Sequence, residues 1–248
     1  MQVIGFAGVA RVGKSYSTNA LKEVAEQQGW KVFIVPFAKP LKDAAAKMGY
    51  GKDTNPEKYR EFCQEHGAKM RAKNADHWLD QWYSLIRGIQ KKEWADDSGM
   101  PYLIISDDVR YENELNAIRK NKGLAVYLQP GDRVLEGASE EWRKHESEAL
   151  ANQVLGQREM YEHMFDFFVT NTGEEGTLTP WAHRFFKDII NCPGDLRDRC
   201  DCEGCSAALE NRPVNKKALE NELDDLLNDI DKKINGEDDD DDDDTDNA

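Results

Sequence analysis

The residues best suited to chemistry lie near the start of the chain, in a glycine-rich stretch over residues 8–15 that reads GVARVGKS. This stretch matches the phosphate-binding pattern G-x-x-x-x-G-K-[ST], which requires a β-strand before it and an α-helix after it. The flanking sequence provides both, because an apolar run covers residues 3–7 and a helical pattern covers residues 15–28. Main-chain amides of such a loop surround phosphate oxygens, and the helix N-terminus adds partial positive charge. The stretch therefore predicts a nucleotide-binding site.

The side chains of this loop have distinct expected roles. Lys14 is placed to bind the β- and γ-phosphates of ATP, and Ser15 is placed to bind Mg²⁺. Lys14 and Arg11 are the predicted catalytic residues of the loop. The predicted ATP-binding residues are Gly8, Val9, Ala10, Arg11, Val12, Gly13, Lys14, Ser15 and Tyr16. The alternative is a glycine-rich turn that binds nothing.

Two aspartates follow a second apolar run, at residues 102–106. Asp107 and Asp108 come directly after it, and an acidic residue at the carboxyl end of a buried strand is the usual second contributor to Mg²⁺ binding in phosphoryl-transfer proteins. In an open α/β sheet, ligands bind beyond these strand ends. We expect Asp107 or Asp108, acting through water, to complete the Mg²⁺ site with Ser15.

The elements that must position these residues alternate along the chain. Further strands are predicted at 31–35, 124–128 and 166–171, and helices at 40–48, 57–97, 112–122 and 180–190. This alternation predicts an α/β fold of the P-loop kinase type, with a parallel sheet flanked by helices over residues 1–190. Trp78, Trp82, Leu85 and Ile89 share one helix face, which favours a role in the core over base stacking.

Residues 130–150 are rich in charge and less periodic, which favours a helical lid over the site. Arg133 or Arg143 would reach the transferring phosphoryl group from this lid, as arginine fingers do. His145 is expected to make a structural or substrate hydrogen bond. A closed lid would also exclude water.

A cysteine-rich segment, residues 191–213, follows the predicted kinase domain. Cys192, Cys200, Cys202 and Cys205 lie close enough in sequence to bind one structural Zn²⁺. The Cys-x-Cys element is less usual for zinc, so reduced free thiols are the equal alternative.

The chain ends in an amphipathic helix, predicted at 214–235, and an acidic tail at 236–248 that is expected to be disordered. The helix would dock on the domain or pair with a second copy. Residues 210–248 contain 16 acidic and 5 basic residues, a net charge of −11 out of −15 for the whole chain. The acidity therefore belongs mainly to the tail.

Composition narrows the class of protein. Hydrophobic residues make up 39% of the 248 and charged residues 33%, which is typical of a globular chain. No apolar run approaches the ~20 residues of a membrane span, and the N-terminus reads as a strand rather than a signal peptide. We expect a cytoplasmic protein with no membrane partner. The slightly acidic charge of residues 1–209 disfavours direct nucleic-acid binding.

Several segments, in order over residues 1–190, resemble the phage-encoded deoxynucleoside monophosphate kinases. Residues 37–43 (FAKPLKD) resemble the family's F-A-x-P-L-K-x segment, and residues 60–78 resemble its R-x-x-x-Q-x-x-G…R…D-x-W helix pair. Residues 108–114 (DVRYENE) resemble D-V-R-[FY]-x-N-E, and residues 145–148 (HESE) resemble H-x-S-E. Many members have Asp after the loop lysine, where this chain has Ser15. The cysteine cluster and acidic tail have no counterpart in the family pattern.

The resemblance implies transfer of the γ-phosphoryl group of ATP to a deoxynucleoside 5′-monophosphate, supplying precursors for phage DNA synthesis in the host cytoplasm. It also implies a homodimer as a plausible assembly. Arg71 and Arg110 match the family's acceptor side, with Lys42 as a third candidate. The substrate-binding residues it implies are Phe37, Lys42, Arg71, Trp78, Asp108, Arg110, Glu114 and His145.

Two other functions are compatible with the sequence. Another small-molecule kinase, for a nucleoside or a modified nucleotide, would share these motifs. In a nucleotide-dependent binding or regulatory protein, the C-terminal segments would contact the partner. A second set of basic residues near the loop favours a kinase, because an ATP switch needs no second anion pocket.

Overall fold

The computed structural model describes residues 1–96, 98–132, 134, 146–174 and 177–191. Within them, five strands form one parallel sheet in the order β2-β3-β1-β4-β5. The strands are β1 (Gln2–Ala7), β2 (Lys31–Ile34), β3 (Tyr102–Val109), β4 (Leu124–Pro130) and β5 (Phe167–Asn171). The helices are α1 (Lys14–Gln27), α2 (Lys39–Lys47), α3 (Pro56–Lys73), α4 (His77–Ala95), α5 (Glu112–Lys120), α6 (Ala149–Gly156), α7 (Arg158–Tyr161) and α8 (Leu178–Phe185).

The predicted fold class, a parallel sheet flanked by helices, is confirmed. The three inner strands are almost wholly buried, as their uninterrupted apolar runs predict for a sheet covered on both faces. Because β1 lies at the centre, the glycine-rich loop that follows it emerges at the middle of the carboxyl edge of the sheet. Each parallel crossover returns the chain to this same direction, so β1, β3, β4 and β5 all end beside the loop.

The stretch 57–97, predicted to be largely helical, forms two helices, as the helix pair of the family resemblance implies. Asn74 ends α3, its side chain accepts a hydrogen bond from the amide of Asp76, and α4 begins at His77. An asparagine that bonds to main chain two residues ahead stabilises a turn instead of a helix. The start of α3 follows the expected chemistry, because Asn55 caps it through the amide of Lys58.

The tryptophan stripe of α4 packs into the core, as predicted. Trp82 is fully buried, stacks on Phe37 at a centroid distance of 4.5 Å, and donates its indole N–H to the carbonyl of Val35 and the hydroxyl of Ser106. Trp78 is also buried, and it donates to the carbonyl of Gly67 in α3. Both indole N–H groups are therefore satisfied inside the protein, as buried Trp requires.

The last helix begins at Leu178, two residues before the predicted start, and a π-helical turn (Phe186–Ile190) follows it. Pro180 is tolerated in the first turn because the amides there lack a carbonyl partner within the helix. No helix in the described ranges is both long and apolar enough to cross a membrane.

Several predicted residues lie outside the described part of the chain. They are Arg133, Arg143 and His145 of the lid, the four cysteines Cys192, Cys200, Cys202 and Cys205, and the segments 192–213, 214–235 and 236–248. The predictions of a lid, a zinc site, an amphipathic helix and a disordered tail stay predictions. Among the residues that are described, no group of three or more His, Cys, Asp or Glu side chains could hold a metal ion.

Candidate active site

The backbone of the glycine-rich loop turns tightly at its two glycines. Gly8 and Gly13 have φ angles of +136° and +99°, in the region that L side chains rarely adopt. A Cβ atom at Gly8 would lie 2.5 Å from the carbonyl oxygen of Leu128, so β4 leaves no room for a side chain. Arg11 also has a positive φ, +64°. The two glycines therefore allow the loop to turn tightly against the ends of β4 and β5.

Lys14 lies against the loop that it follows. Its ammonium group donates to the carbonyl oxygens of Gly8 and Val9, at 2.6 and 2.9 Å. Burial, together with the positive charge of Arg110, lowers the pKa of Lys14 to about 8, although Glu148 and Asp108 act in the opposite direction. The predicted phosphate-binding lysine is thus a buried cation poised close to its titration range.

This pKa predicts how ADP binding depends on pH. Nucleotide phosphates favour protonated Lys14, so the affinity for ADP is full well below pH 8 and falls as pH rises through the Lys14 pKa of about 8 in the free protein. We expect the Kd for ADP to rise about tenfold between pH 7 and pH 9, as one protonated group predicts. Isothermal titration measures it, with Lys14→Met as the control that should bind weakly and without this slope. A wild-type affinity that is constant over this range would contradict the assignment.

Ser15 and Asp107, two of the residues predicted to bind Mg²⁺, lie next to each other. The Ser15 hydroxyl donates to one carboxylate oxygen of Asp107 at 3.1 Å. The other oxygen, Oδ1, is buried and has no hydrogen-bond partner among the described residues. A hydroxyl and a carboxylate are hard oxygen ligands of the kind that Mg²⁺ prefers. An orphaned carboxylate oxygen beside them fits a cation or one of its bound waters.

Asp108, unlike Asp107, holds the main chain at the start of α2. Both of its oxygens already accept hydrogen bonds, Oδ1 from the amide of Phe37 at 2.7 Å and Oδ2 from the amide of Ala38 and the ammonium of Lys42, each at 3.2 Å. It is buried, and it anchors the chain that enters α2. Of the two aspartates that the sequence could not separate, the geometry favours Asp107 for Mg²⁺.

An irregularity in the sheet divides the two aspartates. Gly5 pairs with Ser106 and Ala7 with Val109, so two residues of β3 oppose the single residue Phe6 of β1. Such a bulge redirects side chains and is common beside active sites. Here it accompanies one carboxylate directed to the loop helix and the next directed to the entry of α2.

A cavity of about 580 Å³ opens next to the loop. Ala10 of the loop forms part of its wall, together with side chains from α2, α3, α4 and α5. Its wall mixes aromatic, cationic and acidic groups: Phe37, Lys42, Lys52, Asp53, Tyr59, Arg60, Arg71, Trp78, Asp108, Arg110, Tyr111, Glu114 and Glu148. The volume lies within the ~300–1,000 Å³ typical of small-molecule sites.

Both predicted acceptor arginines reach this cavity. Arg71 lies over the ring of Tyr111, with 4.5 Å between its guanidinium carbon and the ring centroid, and it donates to Glu146 at 3.0 Å. Arg110 donates to the hydroxyl of Ser147 at 2.7 Å and to the carboxylate of Glu148. Residues from α3 and from the end of β3, far apart in sequence, thus place two guanidinium groups on one cavity.

Glu114 holds the start of α5. One of its carboxylate oxygens accepts from the amides of Arg110 and Tyr111, at 2.7 and 3.2 Å. Burial, reinforced by the negative charge of Asp108, raises the pKa of Glu114 to about 8. The structure puts Glu114 in the cavity wall and behind the main chain of Arg110, and its role in substrate binding stays a prediction.

The remaining sequence-predicted residues lie in different surroundings. Phe37 and Trp78 form part of the cavity wall while packing into the core, and Lys42 reaches the same wall from α2. Tyr16 is half exposed, and its hydroxyl lies 3.1 Å from that of Thr179, away from the cavity residues. Val12 contacts β5 instead, because its carbonyl accepts from the side-chain amide of Asn171 at 3.0 Å.

Sequence reasoning missed one face of α3. Pro56, Tyr59, Arg60, Cys63 and Gln64 all line the cavity. Their spacing of three and four residues is that of one helix face, and this was the available signal. Burial raises the pKa of Tyr59 to about 12, since its ring lies inside the wall. This face of α3 therefore contributes Arg60 to the cavity wall.

Sequence reasoning also did not identify Glu148 as a residue of the site. It lies within the H-x-S-E segment, yet nothing in that segment indicates what its carboxylate contacts. In the folded protein it accepts from the amide of Ala10 in the loop, at 2.8 Å, as well as from Arg110. Only the fold brings these groups together, because 138 residues separate Glu148 from Ala10.

Comparison with known proteins gives distant structural similarity. No family model matches this chain, and the comparison with curated proteins gives no match. The chain is similar to a shikimate kinase from Bacteroides thetaiotaomicron at 11% identity and a TM-score of 0.38, covering 76% of this chain and 98% of that chain. It is also similar to shikimate kinase from Acinetobacter baumannii in complex with shikimate, at 12% identity and a TM-score of 0.38, covering 77% and 93%. At this TM-score neither similarity bears on the substrate.

Proposed function

We propose that this protein is a kinase that transfers the γ-phosphoryl group of ATP to a deoxynucleoside 5′-monophosphate. The observation that carries the proposal is the position of the cavity, which shares Ala10 with the glycine-rich loop and has Arg71 and Arg110 in its wall. A second anion site directly beside a phosphate-binding loop is what transfer between two phosphorylated molecules needs. The choice of a deoxynucleotide rests on the sequence resemblance alone.

The described residues suit the two substrates separately. Lys14 and the loop amides would bind the β- and γ-phosphates of ATP. The acceptor phosphate is an anion, so Arg71 and Arg110 would bind it through paired N–H donors, with Lys42 nearby. Aromatic groups such as Tyr59 and Trp78 offer the apolar surface that a nucleobase needs.

Little covalent chemistry is required of the protein. Phosphoryl transfer depends mainly on position and on stabilising charge, and the attacking phosphate oxygen is already ionised, so no general base is needed. The loop and the cavity would align the two phosphates, and Lys14 would stabilise charge that develops on the transferred group. Ser15 and Asp107 would hold Mg²⁺, which when bound neutralises the phosphate oxygens.

The magnesium assignment predicts a specific defect. Asp107→Asn keeps the shape and the bond to Ser15 but removes the charge. We expect the Mg²⁺ concentration for half-maximal activity to rise on the order of 10- to 100-fold, as for loss of a group that orients metal ligands. Asp43→Asn is the matched control, because Asp43 is exposed on α2 and pairs with Lys39. If both variants need the same Mg²⁺ as the wild type, Asp107 does not serve the metal.

The test of the function is an ADP-release assay with ATP and a panel of acceptors. The panel holds ribo- and deoxynucleoside monophosphates, nucleosides and base-modified monophosphates. The proposal predicts that deoxynucleoside monophosphates stimulate ADP release most. Stimulation by nucleosides alone would favour a nucleoside kinase, and ATP binding without any stimulation would favour a nucleotide-dependent regulatory protein. Action in the host cytoplasm, on small-molecule nucleotides and as a homodimer, remains a prediction.

A further inference from the structure

One buried carboxylate joins the glycine-rich loop to the acceptor cavity. The side chain of Glu148 is only 6% exposed, and it lies in a short turn (Glu146–Glu148) directly before α6. One of its oxygens accepts from the loop amide of Ala10 at 2.8 Å, and the other accepts from the guanidinium of Arg110. A single side chain thus contacts both anion-binding regions.

The charge of Glu148 stands where it can disturb nucleotide binding. An amide of a phosphate-binding loop faces this carboxylate, so donor phosphates bound on the loop would lie close to a buried negative charge. Two like charges in a poorly solvated site repel strongly. The ion pair with Arg110 neutralises the carboxylate, and the hydroxyl of Ser147 accepts from the same guanidinium at 2.7 Å.

Building on the proposed function, we infer that Glu148 is a positioning residue that couples the donor loop to Arg110. Glu148 holds the guanidinium toward the acceptor cavity. Arg110 in turn neutralises the Glu148 carboxylate, so that this charge does not repel the phosphates of ATP on the loop. Arg110 therefore serves both substrates, although its family position suggests the acceptor alone. Loss of Arg110 leaves an uncompensated carboxylate beside the loop, and loss of Glu148 releases the guanidinium from its position.

A second ion pair in the same turn provides the matched control. Glu146 accepts from Arg71 at 3.0 Å, so it too pairs with an acceptor arginine. Its side chain is 56% exposed, however, and its described contacts are with Arg71 and Tyr111 and not with the loop. Substitutions in this pair change the same charges without the link to Ala10.

The donor side is tested by ADP·Mg²⁺ titration of the full chain at pH 7, below the pKa of about 8 of Lys14, so that its ammonium group is largely protonated in every variant. We expect Arg110→Ala to weaken ADP binding about tenfold, because the Glu148 carboxylate is then unpaired. The double variant Arg110→Ala/Glu148→Gln should return to within about threefold of the wild type, since the repelling charge is gone. Arg71→Ala and Arg71→Ala/Glu146→Gln should both bind ADP as the wild type does.

The acceptor side is tested by kinetics with the best monophosphate of the panel. Glu148→Gln should raise the acceptor KM about tenfold in the wild-type background and less than threefold in the Arg110→Ala background, because Glu148 acts through Arg110. Thermal unfolding of each variant reports any loss of fold. A structural defect caused by Glu148→Gln would raise the acceptor KM by the same factor in the wild-type and the Arg110→Ala backgrounds.

The outcomes separate the inference from the proposed function. Two results overturn the coupling, even if the protein is an active kinase. One is that the double variant binds ADP as weakly as Arg110→Ala does. The other is that Arg110→Ala binds ADP as tightly as the wild type. Recovery of ADP binding in the double variant supports the coupling even if no monophosphate is phosphorylated, in which case only the proposed function fails.

Discussion

Removing the amino group of Lys14 is expected to lower kcat by on the order of 10²-fold or more. The ammonium group is buried against the loop and bonded to the carbonyls of Gly8 and Val9, so it is held where donor phosphates would bind. A fixed cation that faces charge developing in the transition state contributes on this scale when it is removed. Lys14→Met is the preferred variant, because it keeps the apolar stem that packs in the site, and Lys14→Ala repeats the test.

Lys22→Ala is the matched control for this prediction. Lys22 lies on the same helix as Lys14 but is half-exposed and pairs with Glu26 one turn away. Its removal should leave kcat within about twofold of the wild type, as is usual for exposed ion pairs. A Lys14→Met protein that folds normally and retains more than a third of wild-type kcat would contradict the role given to the loop.

The second large effect is expected from Arg71→Ala. We expect the acceptor kcat/KM to fall by a factor that corresponds to a loss of about 2–4 kcal/mol of transition-state stabilisation. This is the cost of truncating one partner of a buried charge pair, here Arg71 with the acceptor phosphate. The guanidinium is mostly buried, lies over Tyr111, and is paired with Glu146. Because its described contacts do not include the loop, the KM for ATP should stay constant. Steady-state kinetics with each substrate varied in turn separate the two parameters.

Two further variants sharpen this measurement. Arg71→Lys keeps the charge but not the planar pair of donors, so its loss should be intermediate. Arg87→Ala, on the exposed surface of α4, removes one arginine away from the cavity and should have no effect. Equal weakening of ATP and acceptor by Arg71→Ala would show that Arg71 binds the donor, and an unchanged acceptor kcat/KM would remove the cavity from the mechanism.

The sequence predicted the features that depend on neighbouring residues. The loop over residues 8–15 could be identified because all of its donors come from consecutive residues between a strand and a helix. The buried strands were evident for the same reason, since an unbroken apolar run has few other stable environments. Fold class and the donor side of the site followed from these local signals.

Element boundaries were less accessible, because they depend on single side chains that bond to main chain. The break at Asn74 between α3 and α4 is the example here, since the Asn74 side chain accepts from the amide of Asp76. Periodicity reports which face of a helix is apolar, but a polar face such as that of Tyr59 and Arg60 looks the same whether it meets solvent or a cavity.

The tertiary structure decided the relations between distant residues. The sequence places Asp107 and Asp108 side by side, and only the bulge in β3 and the packing of α1 and α2 give one to Ser15 and the other to Phe37. Glu148 carries no local signal, because its two partners belong to other parts of the chain. The sequence determines which ionisable groups the protein has. The partner with which each charged group pairs depends on contacts that form only when the sheet assembles.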